Sequence, residues 1–498
     1  KKQEHKGSSK KLQRLSEKDL KVKSINNHIK GNLDDAEKGY IAFLKNGYSD
    51  ADVFSNYALI CEGRGETAKA IKLYERCTLK YPQHIFSKIN LSFLYYQIND
   101  LEKAELLIED AIKLKPDLPN GYCIRGLIFK SLNKYNESEE SLKKAIEIDN
   151  NYFDAYINLG ILNIDSNNYD NAEQYYLKAI KINNQSAVAH LNLGACYKEK
   201  KELEKALLHT KKAIKLDSKL KNSYFNLSTI YSELGDHIKS FSLAKKELST
   251  NKDNELCYQH ISELIKKPGV LNTSEKNNKE LISELLDRKD ISHRELFGCI
   301  NDIISGESLE RLSILDLELD LDQSKDFNIL IKDKEIGKAL SLLIFCTPLW
   351  EKVLRNIRRL MLISYSDEKK LNKNIINFII ALGSQCFLNE YVYYISKEEK
   401  NELEQLKKSI NDNHNQDYKL ALISCYQSLA SINNRFINLR NYKSNNKEFN
   451  ELLDLQFREK IIEQKILNKI SKIGIIADAT SKEVKSQYEL NPYPRWRY

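Results

Sequence analysis

YFDAYINLGILNIDSNNYDNAEQYYLKAIKINN, the stretch from Tyr152 to Asn184, decides the fold of this chain. It carries AYINLGILN followed by NAEQYYLKAI, which we interpret as two antiparallel helices. Small residues at fixed positions let the backbones of such a pair approach closely, and larger residues fill the remaining space. The stretch therefore predicts a helical hairpin that is too small to bury its apolar face alone.

Three columns of residues, most of them small, recur every thirty-four positions on both sides of this stretch. Thirty-four residues is the period of tetratricopeptide repeats, and about seven units can be traced from Leu20 to Thr250. We expect Tyr74, Leu142 and Tyr176 to fill the gaps between neighbouring units. The three recurring columns are Gly126, Gly160 and Gly194; Ala36, Ala70, Ala104, Ser138, Ala172, Ala206 and Ser240; and Phe43, Cys77, Ala111, Ala145, Ala179, Ala213 and Glu247.

The second half of the chain has a different helical character. EIGKALSLLIFCTPLWEKVLRNIRRLMLISY and NIINFIIALGSQCFLNEYVYYISKEEKNELEQLKKSI indicate longer apolar helices, as does DYKLALISCYQSLASI. We predict an all-α protein in which a tetratricopeptide superhelical solenoid precedes a second all-helical domain. The predicted parts are a basic flexible tail (1–16), the repeats (17–250), a helical cap and linker (251–326), an all-helical domain (327–480) and a terminal strap (481–498).

Charge and cysteine content exclude several function classes. The net charge is +8, from 78 basic against 70 acidic residues, and nine of those basic residues lie in the first 23 residues beside three acidic ones. The rest of the chain is thus close to neutral, which argues against a nucleic-acid-binding surface. We interpret the basic N-terminal tail as a solvated arm, or alternatively as a segment that binds loosely to an acidic partner. Nine cysteines without a CxxC pair favour a reduced, cytoplasmic protein.

Two further kinds of site are absent from the sequence pattern. No apolar run approaches the ~18 residues of a membrane-spanning helix, and no cysteine or histidine cluster has metal-ligand spacing. The only methionine is Met361, so the sequence does not begin with an initiator methionine. We therefore expect that residues are missing at the N-terminus, and a truncation at the C-terminus is consistent with this.

A column of asparagines follows the same period of thirty-four residues. One running stripe on the first helices carries Asn56, Asn90, Asn158, Asn192 and Asn226, with Ile124 as the single gap. A carboxamide offers donors and an acceptor, so such a column could hold the backbone of an extended peptide. It resembles the asparagine ladder in the repeats of O-linked N-acetylglucosamine transferases. The alternative is that these amides serve the neighbouring helix.

Polar residues interrupt one apolar helix of the second half. Within QCFLNEYVYY, we predict Gln385, Asn389 and Glu390 as a buried polar helix whose groups specify packing or line a pocket. Arg358 and Arg359 in NIRRLM are adjacent and point in different directions on a helix, which makes them weak candidates for an anion site.

The second half and the final residues resemble tetratricopeptide-containing, S-adenosylmethionine-dependent methyltransferases. The likeness rests on QCFLNEYVYYISKEE, ISCYQSL and SKEVKSQYELNPYPRW, and Leu490 departs from the family's acidic residue. The resemblance implies a methyltransferase domain that uses S-adenosylmethionine as its cofactor. We expect this domain beyond Tyr498, because residues 1–498 contain no glycine-rich cofactor-binding turn that follows a strand. The implied domain junction comprises Tyr488, Glu489, Asn491, Pro492, Tyr493, Pro494, Arg495 and Trp496.

Three functions compete at this point. The chain could recruit extended peptide or protein clients for a methyltransferase, act as a non-catalytic assembly scaffold, or recruit clients for a linked glycosyl- or sulfotransferase. Within the chain itself we find no nucleophile turn and no phosphate-binding loop, so we predict neither catalytic residues nor a bound cofactor or metal.

Overall fold

A computed structural model describes most of the chain. Throughout the described residues the regular secondary structure is helical and contains no strand, which confirms the predicted all-α class. Contacts divide the chain into two compact units, Lys1–Ile230 and Tyr231–Tyr498. The predicted boundaries at residues 250, 326 and 480 stay predictions. The described residues are 16–273, 275–315, 321–365, 371–410, 416–432, 437–440 and 442–467.

The helices of residues 17–250 have nearly uniform lengths and are separated by short turns. Several begin at a side-chain cap: Asp50, Asp100 and Ser186 each accept a hydrogen bond from a backbone N–H in the first turn. In chain order the helices are α1 (Glu17–Ile29), α2 (Leu33–Lys45), α3 (Ala51–Gly63), α4 (Thr67–Lys80), α5 (Ile85–Gln97), α6 (Leu101–Leu114), α7 (Pro119–Ser131), α8 (Tyr135–Ile148), α9 (Phe153–Asp165), α10 (Tyr169–Ile182), α11 (Ala187–Glu199), α12 (Leu203–Leu216), α13 (Ser223–Glu233) and α14 (His237–Thr250).

Packing among α1 to α12 follows a regular order. Each odd-numbered helix packs against the even-numbered helix that follows it, and that helix packs against the next odd-numbered one. Odd-numbered helices also contact one another along the stack, as α5, α7 and α9 do. The predicted helical solenoid is therefore confirmed, and each pair buries its apolar face only by contact with its neighbours.

The glycine column marks the closest approach of the two helices in a pair. A Cβ atom on Gly160 would lie 2.3 Å from the ring of Tyr176, and one on Gly194 would lie 2.3 Å from Thr210 Oγ1. Leu142 meets Gly126 in the same way. Leu142 and Tyr176, which the sequence places between units, thus pack on the glycine of their own unit.

A left-handed residue ends each first helix of the repeats. The positions recur every thirty-four residues, and six of the seven hold glycine or asparagine, which tolerate positive φ best. Lys201 is the exception, with a φ of 63°. The full set is Gly31, Gly65, Asn99, Asn133, Asn167, Lys201 and Gly235.

Helices of the second unit are less regular in length. Helix α22 lies at the centre, in contact with α19, α20, α24 and α25, and most of its side chains are buried. The helices that follow α14 are α15 (Glu255–Leu264), α16 (Lys276–Asp287), α17 (Phe297–Asn301), α18 (Gly306–Ser313), α19 (Lys325–Lys332), α20 (Lys334–Leu342), α21 (Pro348–Ser364), α22 (Lys373–Leu388), α23 (Lys397–Lys408), α24 (Asp417–Ser424), α25 (Lys447–Leu453) and α26 (Glu459–Leu467).

Two of the long helices expected in this half are each divided in two. Thr347 caps a new helix whose first residue is Pro348, so α20 and α21 are separate. Between α22 and α23 the chain turns, and Ser396 and Glu399 form a capping box that starts α23. Apolar periodicity continues across both breaks, and only the capping residues show where a helix restarts.

Candidate functional site

The asparagine column lies on the odd-numbered helices of the repeats. Each of its five carboxamides belongs to a half-buried residue, so the side chains are accessible from one side. Ile124, which occupies the corresponding position of α7, is buried. The members are Asn56 on α3, Asn90 on α5, Asn158 on α9, Asn192 on α11 and Asn226 on α13.

Two members of the column are tied to the preceding unit through their nitrogen atoms. Asn90 Nδ2 donates to the hydroxyl of Tyr74, 3.0 Å away. Asn158 Nδ2 lies 3.4 Å from Cys123 Sγ. Both contacts are to side chains, and neither carboxamide bonds the backbone of a neighbouring helix. Each contact fixes the plane of the carboxamide and leaves its oxygen uncommitted.

The other three members have fewer contacts. Asn56 faces Tyr40. Burial raises the pKa of the Tyr40 hydroxyl to about 12, and the hydrogen bond from the Asn56 carboxamide lowers this pKa. The side chains of Asn192 and Asn226 make no hydrogen bond to any described residue. Among the described residues, no carboxamide oxygen in the column accepts a hydrogen bond.

A second row on the same helices escaped the sequence analysis. The residue three places after each position of the asparagine column is apolar in most repeats. None of these residues is fully buried: one is exposed and the others are half-buried. We call this set the apolar row; the period of thirty-four residues is the signal that would have found it. Its members are Leu59, Phe93, Leu127, Ile161, Ala195 and Thr229.

The polar residues of the second unit lie in different surroundings. Gln385 is fully buried in α22; oriented with Nε2 toward the carbonyls, it donates to Leu340 O (3.3 Å) and Leu343 O (2.5 Å) at the end of α20. Asn389 is half-buried and caps the C-terminus of α22. Glu390 lies outside the helix and is exposed, which corrects the expectation for that residue. The helix ends before Glu390 because the chain there adopts positive φ, 59° at Glu390.

The two adjacent arginines take opposite roles. Arg358 is 1% exposed and donates from Nη2 to Tyr394 O (2.7 Å) and to Glu399 Oε1 (3.2 Å). Tyr426 donates to the same carboxylate oxygen at 2.9 Å. Arg359 forms a partly exposed pair with Glu398. The ion pair of Arg358 joins α21 to α23 inside the second unit.

Within the described part of the chain, one group of side chains has the composition and spacing of a metal site: Glu37, Cys61 and Glu66. Lys69 Nζ lies 3.0 Å from Glu37 and 2.9 Å from Glu66, so an ammonium group already neutralises both carboxylates. The cluster is an ion-pair network rather than a metal site. Among the same residues no helix is long and apolar enough to cross a membrane.

The residues of the predicted domain junction fall outside the described part of the chain. They are Tyr488, Glu489, Asn491, Pro492, Tyr493, Pro494, Arg495 and Trp496.

Comparison with known families identifies the repeats. Models described as tetratricopeptide repeats match residues 30–83, 87–118, 126–164, 153–186 and 187–220. These segments therefore carry tetratricopeptide repeats. No curated protein matches the chain.

Three solved structures that are similar to this chain each cover half of it or less. A tetratricopeptide repeat protein from Parabacteroides merdae is 19% identical with a TM-score of 0.43, over 50% of this chain and 98% of that one. PilW, a type IV pilus biogenesis factor, is 18% identical with a TM-score of 0.39, over 43% and 98%. YrrB, described as a TPR protein with an unusual peptide-binding site, is 19% identical with a TM-score of 0.30, over 37% and 95%.

Proposed function

We propose that the tetratricopeptide repeats bind an extended segment of a client protein and that the asparagine column holds the backbone of that segment. The observation that carries the proposal is the set of uncommitted carboxamide oxygens, which lie at one position of successive repeats. An amide oxygen accepts a hydrogen bond from a peptide N–H whatever the client's side chain. The repeats would therefore recognise an extended conformation rather than one sequence.

Two contacts within the protein favour this arrangement. The Nδ2 atoms of Asn90 and Asn158 are held by Tyr74 and Cys123, so the planes of these two carboxamides are fixed before a client arrives. Groups that are already ordered lose less conformational freedom on binding. Asn192 and Asn226 offer both their donors and their acceptors.

We propose further that client capture serves a methyltransferase that uses S-adenosylmethionine. Support for this step comes from the resemblance of Gln385–Glu399 and Ser481–Trp496 to tetratricopeptide-containing methyltransferases. Gln385 and Glu399 make structural contacts within the second unit, to α20 and to Arg358. Cofactor binding would therefore belong to a separate domain.

The place of action that we propose is the cytoplasm. All nine cysteines are free, and eight of them are buried, with Cys346 as the exposed one. Buried thiols that form no disulfide suit a reducing compartment.

Peptide selection followed by calorimetry tests the proposed binding. Random twelve-residue peptides displayed on phage are selected on the full chain, and the most enriched peptide is synthesised and titrated. The double variant Asn158→Ala and Asn192→Ala should bind this peptide about tenfold more weakly, or worse, because two hydrogen bonds of about 0.5–1.5 kcal/mol each are lost.

A matched control separates the column from asparagines in general. Asn136 and Asn171 are exposed on α8 and α10, so the double variant Asn136→Ala and Asn171→Ala should bind like the wild type. Helicity at 222 nm should be unchanged in both variants because alanine favours helices. Equal affinity of all three proteins for the peptide would refute the role of the asparagine column.

A further inference from the structure

Asp154 gives the asparagine column an acidic neighbour at Asn158. It stands four residues before Asn158 on α9, so the two side chains share one face of that helix. Asp154 is exposed and forms no ion pair with any described residue. Its carboxylate is therefore open to a group that binds beside the Asn158 carboxamide.

The thiol of Cys123 lies close to both of these side chains. Asn158 Nδ2 is 3.4 Å from Cys123 Sγ. Burial raises the pKa of this thiol to about 12, the contact with Asn158 lowers it, and the negative charge of Asp154 raises it. The carboxylate and the oriented carboxamide therefore share one neighbour, and both present oxygen atoms that accept hydrogen bonds.

An aspartate at the same repeat position of α3 already binds a cation. Asp52 lies 102 residues, or three periods of thirty-four, before Asp154. Lys21 lies the same distance before Cys123. The Nζ atom of Lys21 is 3.0 Å from the Asp52 carboxylate and 2.6 Å from that of Asp50. The cysteine thus stands where the first repeats have a lysine, and Asp154 is left without the ammonium group that Asp52 binds.

The position of Asp154 in its helix does not use up its charge. Asp154 lies in the first turn of α9, where a negative charge stabilises the N-terminus of a helix. Asp52 lies in the first turn of α3 and still pairs with Lys21. Placement in the first turn is therefore compatible with binding a cation.

Cations on the neighbouring first helices are already paired. Helices α3, α5, α7, α9 and α11 carry four lysine and arginine residues, and each of the four has an acidic partner. The pairs are Lys88 with Asp110, Arg125 with Glu109, Lys130 with Asp165 and Lys198 with Glu199. A cation for Asp154 would therefore come from outside these helices.

We propose that the client segment carries a lysine or arginine whose cationic group binds the Asp154 carboxylate, next to the backbone that Asn158 holds. The inference rests on the proposed function and adds one side-chain requirement to it. The client's ammonium or guanidinium group would take the place beside Asp154 that Lys21 takes beside Asp52. Backbone N–H groups and the basic side chain of the client would then find their acceptors on the same helix.

Selected peptides test this requirement. Random twelve-residue peptides on phage are selected on the full chain, and we expect lysine or arginine to be enriched relative to the unselected library. Replacing that basic residue of the best peptide by alanine should weaken its binding to the wild type about fivefold in calorimetry, the upper range for an exposed ion pair. The same replacement should have little effect on binding to the Asp154→Asn variant, because the two groups act as a pair.

A matched variant separates Asp154 from negative charge in general. Asp154→Asn should bind the unmodified peptide about fivefold more weakly than the wild type. Glu102→Gln should bind it like the wild type, because Glu102 is an exposed first-turn acid without an ion pair on the even-numbered helix α6. Helicity at 222 nm should be the same in both variants.

The outcomes distinguish this inference from the proposed function. Equal affinity of the wild type and Asp154→Asn for the peptide, or an equal loss in Glu102→Gln, would overturn the inference. The proposed function would still stand if the double variant Asn158→Ala and Asn192→Ala bound that peptide more weakly. A selection that enriches no peptide would overturn both.

Discussion

The ring of Tyr176 on α10 occupies the space that a side chain at Gly160 on α9 would need. A Cβ atom at residue 160 would lie 2.3 Å from Tyr176 Cε1, far inside van der Waals contact. Tyr176 is itself 2% exposed, so the ring has no free volume to move into. This contact sets the distance between the two helices of the repeat.

Gly160→Ala should therefore destabilise the repeats by about 1–3 kcal/mol, the usual cost of overpacking a filled core. Urea denaturation followed by circular dichroism measures the change. Gly63→Ala is the matched control, because nothing lies within 4 Å of a Cβ atom there. That control should be neutral or slightly stabilising, and an equally neutral Gly160→Ala would show that the helices can separate freely.

Lys201 holds a backbone conformation that suits glycine or asparagine, with a φ of 63°. Lys201→Gly should stabilise the protein by about 1 kcal/mol because a left-handed conformation costs a residue with a Cβ atom about 1–2 kcal/mol. Asn167→Gly, at the same position one repeat earlier, should gain less, since asparagine tolerates this conformation. Thermal unfolding compares the three proteins, and a lower Tm for Lys201→Gly would contradict the assignment of strain.

Arg358 and Arg359 allow a comparison of buried and exposed ion pairs in one helix. Arg358→Met leaves Glu399, which is 3% exposed, without its cation, and should cost about 3–5 kcal/mol. Arg359→Met breaks a pair whose side chains are 40% and 50% exposed and should cost less than about 1 kcal/mol. Denaturant unfolding monitored at 222 nm reports both, and similar losses for the two variants would contradict this view of the second unit.

His209 should make the repeats sensitive to mild acid. Burial, with added repulsion from His190 and Lys212, lowers the pKa of His209 to about 4, and its Nδ1 lies 3.0 Å from His190 Nδ1. Because the unfolded chain binds the proton at higher pH, stability is fully present above about 6.5 and is lost as the pH falls toward 4.

The expected loss is about 1–2 kcal/mol, which allows for solvent screening of a half-buried ring. Unfolding free energies measured between pH 7 and pH 5 should fall for the wild type and fall less for His209→Gln. An identical pH dependence of the two proteins would remove His209 from this account.

The sequence allowed the repeats to be predicted because their packing is local and periodic. Ala70, Ala104 and Ala172 are fully buried where two helices meet, and that requirement recurs in every unit. Lys201 stands at a position where the other repeats have glycine or asparagine. A lysine does not predict a left-handed backbone, so this strained turn was recognised only from its φ angle.

The second unit was harder to predict from its pattern. Apolar periodicity runs through the break at Pro348 and through the turn after Leu388, because residues on both sides of each break face the same core. Glu390 was placed in a buried helix for this reason. The environment of the asparagine column depends on Tyr74 and Cys123 of the preceding units, which no single repeat reveals.

Backbone methylation of a bound peptide tests the central claim most directly. N-methyl groups at alternate residues of the selected peptide remove its N–H donors and keep its side chains, and calorimetry compares both peptides on the wild type and on the Asn158→Ala and Asn192→Ala variant. We predict that methylation weakens binding to the wild type at least tenfold and has little further effect on the variant, as coupled groups require. Equal losses from methylation in both proteins would show that the carboxamides do not hold the client's backbone.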